Sequence, residues 1–199
     1  MYDKQIQFSI IIPTFNPDFK LFKTIESIKR SIFFFEAKHK IEYEIIIIND
    51  GGKLIDEGIK KLFTNIRYIN LKKNRGVGFA REFGCRISKY GNIYYIDSDI
   101  IVDENTLIEL YNELFGNSDA GSVGALQSFK NLNNEYSSRF VCAKTCYGFD
   151  DKPEIIEFSA IHSECCIIKR SFLRKIGGAG GRDKETGLTK RRKLGLTTF

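Results

Sequence analysis

The feature that most constrains this chain is an alternation, through roughly its first hundred residues, of short apolar runs with stretches whose apolar residues recur every three or four positions. Phe8 to Ile12 is one such run, ended by Pro13. Leu21, Ile25, Ile28, Ile32 and Phe35 then mark one face of a helix, with Asp18 placed to cap its start. Glu44 to Ile48 holds the longest aliphatic run, Ile45 to Ile48, and breaks at Asn49-Asp50-Gly51-Gly52. Ile66 to Leu71 is a third strand. Phe79, Phe83, Ile87 and Tyr90 mark a second helix, Ile93 to Ile96 a fourth strand, and Leu107, Tyr111 and Leu114 a third helix. Strands that alternate with helices in this way call for an α/β fold, a mostly parallel sheet covered by helices on both faces. From about Ala120 the pattern weakens: Ser122 to Phe129, Ile155 to Ile161 and Cys165 to Lys169 read as strands, and Ser171 to Ile176 as a short helix.

At 199 residues the chain fits a single domain. A chain of that size buries roughly two-thirds of the surface its unfolded form exposes. A 42 % hydrophobic content is ordinary for a folded chain, and a folded domain is expected. No apolar run approaches the ~18 residues that span a bilayer, and Met1 to Gln5 lacks the layout of a signal peptide. A cytoplasmic protein is expected. Five cysteines are an odd count, and reduced thiols follow. Cys142, Cys146, His162 and Cys165 make a zinc set conceivable, but the paired Cys-x-x-Cys knuckles of structural zinc sites are missing. Small buried residues are the expectation.

The net charge of +6 is unevenly placed: from Lys169 onward ten Lys or Arg face two acids, and the rest of the chain is slightly acidic. A basic end on a near-neutral body points to an anionic partner, such as a phosphate-bearing acceptor or peripheral contact with the inner membrane surface. A solvated tail is the alternative. No nucleic acid is expected as a partner.

In parallel α/β sheets, ligands bind beyond the carboxyl ends of the strands. Three polar clusters fall there: Pro13-Thr14-Phe15-Asn16, Asn49-Asp50-Gly51-Gly52 and Asp97-Ser98-Asp99. Carboxylates as close as Asp97 and Asp99 repel each other unless a cation or solvent relieves them. Mg²⁺ or Mn²⁺ takes one or two carboxylates plus phosphate oxygens, and would neutralise charge on a leaving diphosphate. Asp50 is placed to accept a hydrogen bond from a nucleobase N–H, although Asn-Asp-Gly also makes an Asx turn by itself. Asn74-Arg75-Gly76-Val77-Gly78-Phe79-Ala80-Arg81 puts a glycine-rich turn and two guanidinium groups before a helix, an arrangement that favours phosphate. It is not a dinucleotide fingerprint. The third small residue is absent, and the turn follows the third strand rather than the first.

Taken in order, these motifs resemble those of family 2 glycosyltransferases, which have the Rossmann-like GT-A fold. That family's Pro-Thr-Tyr-Asn, Asp-Asp-Gly-Ser, Asn-x-Gly…Ala-Arg-Asn-x-Gly and Leu-Asp-Ser-Asp-Asp are matched by four segments here. They are Pro13 to Asn16, Asn49 to Gly52, Asn74 to Gly76 with Ala80 to Gly84, and Ile96 to Ile100. The resemblance implies a nucleotide-sugar-binding half over about 1–100 and an acceptor-side half over about 101–199. It implies nucleoside contacts from Thr14, Asn16 and Asp50, and donor contacts from Pro13, Asn74, Arg75, Gly76 and Arg81. Asp97 would touch ribose or metal, and Asp99 would be the principal ligand of Mn²⁺ or Mg²⁺. Asn49, Glu82 and Ile100 depart from the pattern. Further on, Ser163 to Arg170 and Ile176-Gly177-Gly178 resemble the family's acceptor-side strand and its Gly-Gly. Gly181-Arg182-Asp183 resembles its Gly-Glu-Asp, at the end of a shortened loop, which makes Asp183 the implied catalytic base. The Gln-x-x-Arg-Trp motif of processive synthases is excluded, since the chain has no Trp.

The expected function is inverting, metal-assisted transfer of a sugar from a nucleotide-diphosphate donor, most simply a UDP-sugar, to a saccharide or lipid-linked acceptor. Two alternatives stand beside it: a non-catalytic nucleotide-sugar-binding remnant and a sugar-1-phosphate nucleotidyltransferase. The second normally opens with a Gly-rich phosphate loop after its first strand, and Pro13-Thr14-Phe15-Asn16-Pro17 is not one.

Overall fold

In a computed structural model of the protein, residues 5–116, 120–125, 164–176 and 178 are described. In chain order the elements are β1 (Ile6–Thr14), α1 (Phe19–Glu36), β2 (Ile41–Asn49), α2 (Glu57–Leu62), β3 (Ile66–Asn70) and α3 (Val77–Ile87). They continue with β4 (Asn92–Ile96), α4 (Thr106–Gly116), β5 (Ser122–Gly124), β6 (Cys165–Lys169) and α5 (Arg170–Ile176). One six-stranded sheet runs in the order β3-β2-β1-β4-β6-β5. β1 to β4 pair in parallel, and β6 lies antiparallel to both β4 and β5. The mostly parallel α/β sheet expected from the alternation is present.

Both faces of the sheet are covered, which is why the strands read as continuous apolar runs rather than alternating ones. Phe8, Ile10, Ile12, Ile45, Ile47, Tyr94 and Ile96 point to the side of α1 and α4. Ile11, Ile46, Ile48, Ile93 and Tyr95 point to the side of Ala80 and Cys85 of α3 and Leu173 of α5. Each such side chain contributes about 1.5–3 kcal/mol by leaving water. The five α1 residues picked out by their spacing are all buried, and the Asp18 carboxylate accepts the Lys20 N–H at 2.8 Å as the helix cap.

Other details depart from expectation. β1 runs through Pro13 to Thr14 instead of stopping before the proline. Thr14 C=O accepts Asp50 N–H at 2.8 Å, so Thr14 faces β2. Pro13 therefore faces β4, whose register with β1 ends at Ile11↔Tyr95, and no ladder donor is missed there. In α3 the fully buried residues are Gly78, Ala80, Arg81, Gly84 and Cys85, while Phe79, Phe83 and Ile87 are half-buried flanks and Tyr90 lies past the helix end. The helix docks by its small side: a Cβ on Gly84 would sit 2.5 Å from Ile11 Cγ2. α2 was not legible, because it buries no residue; Asp56 caps it, accepting Gly58 N–H at 2.7 Å. Of the later expectations, Ser122 to Gly124, Cys165 to Lys169 and the helix after it are present, whereas 126–129 and Ile155 to Ile161 lie outside the described residues.

Cys85, Cys165 and Cys166 are buried free thiols. Burial pushes Cys165 and Cys166 up to about 12, so neither is a ready thiolate ligand. Cys142, Cys146 and His162 lie outside the described residues. Among the described residues no helix is long and apolar enough to cross a membrane.

Candidate active site

The direction of strand succession reverses at β1: β2 and β3 lie to one side and β4 to the other. Such a switch point opens a crevice beyond the strand ends. A cleft of about 450 Å³ lies there, walled by Pro13 to Leu21 without Phe19, by Asp50, by Asn74, Gly76, Val77 and Ala80, and by Asp97, Ser98 and Asp99. The polar clusters, far apart in the chain, thus meet in one place.

The wall formed by the β1, β2 and β3 ends is an interlocked set of loops. Asp50 is 3 % exposed; its Oδ1 accepts Arg75 N–H at 2.9 Å and its Oδ2 accepts Gly76 N–H at 2.6 Å. The carboxylate therefore fixes the glycine-rich turn as well as lining the cleft. Asn16, at φ 52°, accepts Lys53 N–H on its Oδ1 at 2.9 Å. Gly51 and Gly52 have φ of 83° and 81°, and the space beside each is filled. A Cβ at Gly51 would lie 2.8 Å from Asn74 N, and one at Gly52 would lie 2.4 Å from Asn16 Oδ1. Asn49, in place of the family's acid, donates from Nδ2 to Lys53 O (2.9 Å) and Asn70 Oδ1 (3.0 Å). Three buried oxygens on this wall, Thr14 Oγ1, Asn49 Oδ1 and Asn74 Oδ1, have no hydrogen-bond partner among the described residues, and Thr14 and Asn74 line the cleft. Unsatisfied polar atoms inside a cleft are open positions for a ligand.

The opposite wall is the acidic turn after β4. Asp97 N–H donates to Glu164 C=O at 2.8 Å, and Ile100 N–H donates to Asp97 C=O at 3.2 Å, which folds the turn. Arg81, 7 % exposed, reaches Asp97 Oδ1 through Nη2 at 2.6 Å. Burial raises the Asp97 carboxyl above its ordinary value; the Arg81 charge and hydrogen bond oppose this, and Glu164 and Asp99 add to it. Asp99 is exposed on the cleft wall, and no described residue donates a hydrogen bond to it.

The expected donor residues therefore stand in different relations to the cleft. Pro13, Thr14, Asn16, Asp50, Asn74, Gly76, Asp97 and Asp99 line it. Arg75 does not; its guanidinium lies over the Phe79 ring at 3.8 Å. Arg81 stands behind Asp97. Asp183 lies outside the described residues. For a divalent cation the donors present are hard carboxylate oxygens, one of them already engaged by Arg81. No cluster of three or more His, Cys, Asp or Glu suited to a metal occurs among the described residues. This set fits an ion that takes one or two carboxylates and completes its shell with diphosphate oxygens and water.

Sequence reasoning passed over a stripe of hydroxyls on α1. Thr24, Ser27 and Ser31 are fully buried at steps of three and four, inside the apolar face. Hydroxyls at helical spacing within an otherwise aliphatic stripe were the available signal.

A GT-A type of α/β fold with a cleft at its switch point is the class to which these observations lead. The chain belongs to glycosyltransferase family 2: the family model, Glycosyl transferase family 2, matches residues 9–177. It is 37 % identical over 109 residues to the poly(ribitol-phosphate) beta-N-acetylglucosaminyltransferase TarP of Staphylococcus aureus, across 52 % of this chain and 32 % of that protein. It is 29 % identical over 172 residues to the teichoic acid poly(glycerol phosphate) polymerase of Staphylococcus epidermidis, across 83 % of this chain and 22 % of that one. The chain thus spans a third or less of these relatives. Among solved structures, the mannosyltransferase PcManGT of Pyrobaculum calidifontis, in complex with GDP-Man and Mn²⁺, superposes with a TM-score of 0.62 at 15 % identity. That match covers 87 % of this chain and 47 % of the other. TarS 1-349 of S. aureus superposes at 0.52 and 16 % identity, covering 85 % and 49 %. These likenesses are of fold.

Proposed function

We propose that the chain binds a nucleotide-diphosphate sugar, as a UDP-sugar, in the switch-point cleft and transfers the sugar with inversion to a saccharide or lipid-linked acceptor. The observation that carries this reading is the convergence of Thr14, Asp50, Asn74, Asp97 and Asp99 on one cleft in a chain of this family. Thr14 Oγ1 and Asn74 Oδ1 hold unfilled hydrogen-bonding capacity for the nucleoside. Asp50 holds the loop that carries Asn74 while presenting carboxylate oxygens at the base end. Asp99, with Asp97 beside it, would hold Mn²⁺ or Mg²⁺. When bound, that ion supplies positive charge against the diphosphate as it leaves.

For the acceptor, the phosphate polymers in the relatives' names fit the basic end of the chain, where ten Lys or Arg face two acids from Lys169 onward. Asp183 is the proposed base: it takes the proton of the acceptor hydroxyl as that oxygen attacks the anomeric carbon in line. Contact with an anionic membrane surface through the same basic end, at the cytoplasmic face, belongs to this proposal too.

The test is a panel of UDP- and GDP-sugars with and without Mn²⁺. Ligand at a hundred times its dissociation constant stabilises by about 2.7 kcal/mol, a Tm rise of roughly 5–10 °C for a domain of this size. UDP-sugars should give that rise with Mn²⁺, and donor turnover should require acceptor. No shift with any nucleotide sugar overturns the reading.

A further inference from the structure

The hydroxyl stripe of α1 touches the site at one point. Ser31 Oγ accepts Leu107 N–H at 3.1 Å, and so serves from another helix an N–H that the first turn of α4 leaves open. Ser27 Oγ donates to Thr24 C=O at 2.8 Å and accepts Val102 N–H at 3.1 Å. Thr24 Oγ1 donates to Ser98 C=O at 3.0 Å, inside the acidic motif itself. One helix thus holds the chain from the motif to the start of α4, and the three bonds fall to different parts of it.

We propose that Thr24 is a positioning residue for Asp99, an inference that rests on the donor-binding reading given above. Ser98 C=O and Asp99 N–H belong to one planar peptide. A hydrogen bond that fixes the carbonyl fixes the plane, and with it the direction in which Asp99 leaves the backbone. Apart from the Ile100 N–H to Asp97 C=O bond that closes the turn, nothing described holds Asp99: it is exposed, and no described residue donates to its carboxylate. Asp97 differs, being held by the Glu164 carbonyl at its N–H and by Arg81 at Oδ1. The aim of Asp99 into the cleft depends on Thr24. Ser31, about two turns along the same stripe, supplies a matched control that clamps α4 and leaves the motif alone.

The experiment compares Thr24→Val, Thr24→Ser and Ser31→Ala in the full chain, using UDP and Mn²⁺ as probes. Two quantities are read: UDP affinity with and without Mn²⁺, and residue-resolved exchange of backbone amides without ligand. Thr24→Val should weaken Mn²⁺-dependent UDP binding about tenfold, leave metal-free binding within twofold, and speed exchange at least tenfold at Ile100, whose N–H closes the turn around the Ser98–Asp99 peptide. Thr24→Ser, which keeps the hydroxyl, should restore both. Ser31→Ala should speed exchange at Leu107 and leave the Mn²⁺ dependence alone. Equal effects of Thr24→Val and Ser31→Ala on Mn²⁺-dependent binding would overturn the proposal, as would an unchanged Ile100 amide in Thr24→Val. If no variant, nor the unsubstituted chain, binds UDP, the donor reading fails; the amide exchange still decides what Thr24 holds.

Discussion

Two strand ends in this protein carry an aspartate at the mouth of the same cleft, and they treat it in opposite ways. At the end of β2, Asp50 is buried and both of its oxygens accept backbone N–H groups of the neighbouring loop. At the end of β4, Asp97 shares one oxygen with Arg81 and Asp99 stands exposed. A carboxylate at a strand end is therefore not one kind of object. Whether it is a structural tie or an open ligand depends on what the adjacent loop brings within reach. Here the β3–α3 loop brings two N–H groups to Asp50, and α3 brings one guanidinium to a single oxygen of Asp97.

This contrast can be broken by substitution, and stability is the common scale. The largest expected loss follows Arg81→Met. It strands the Asp97 charge, and breaking a buried pair costs about 3–5 kcal/mol; with 23 % of the Asp97 side chain exposed, the low end is expected. Denaturant unfolding measures it, and a loss under 1 kcal/mol would put Asp97 with the open ligands instead. Comparable in size is Asp50→Ala, at about 3 kcal/mol, the low end for two hydrogen bonds to a charged group at about 1.5–3 kcal/mol each. UDP affinity should fall along with it. Lost UDP affinity at full stability would show Asp50 to be a ligand contact and not a tie.

Gly51→Ala probes the same interlocked corner through the backbone. The positive φ and the approach of Asn74 N should cost about 1–3 kcal/mol, read as a lower Tm. A neutral result would mean that the loops are loosely held. The smallest effect belongs to Asp99→Ala: within about 0.5 kcal/mol of the parent in stability, with sugar transfer and Mn²⁺-dependent UDP binding lost. Full activity in Mn²⁺ would remove Asp99 from the site.

How far the sequence foretold this depends on the range of the interaction. Leu21, Ile25, Ile28, Ile32 and Phe35 were legible because a helix's buried face is set by local spacing, and the Asp18 cap is a contact two residues long. The meeting of Pro13–Asn16, Asp50 and Asp97–Asp99 was legible because parallel strands place their carboxyl ends on one edge. The division of roles was not. Arg81 was expected at phosphate, and only the docking of α3 by Gly84 onto Ile11 turns that guanidinium toward Asp97. The same docking made Ala80 and Cys85, rather than Phe79 and Phe83, the inner face. Thr24 went unread because its partner, Ser98, is remote in sequence.

The bond from Asp97 N–H to Glu164 C=O has a consequence in time. β1 to β4 are joined by short crossovers and need only chain that precedes them, whereas β6, which flanks β4 on its other side, comes much later. A growing polypeptide emerges N-terminus first, so the acidic turn is made well before its partner strand exists. Closure of so long a loop is slow relative to local pairing. Until it happens, the β4 edge is an unpaired strand of Ile and Tyr, the kind of edge on which chains join one another. The docking of β6 both adds the Glu164 contact to the wall of the cleft and covers that edge.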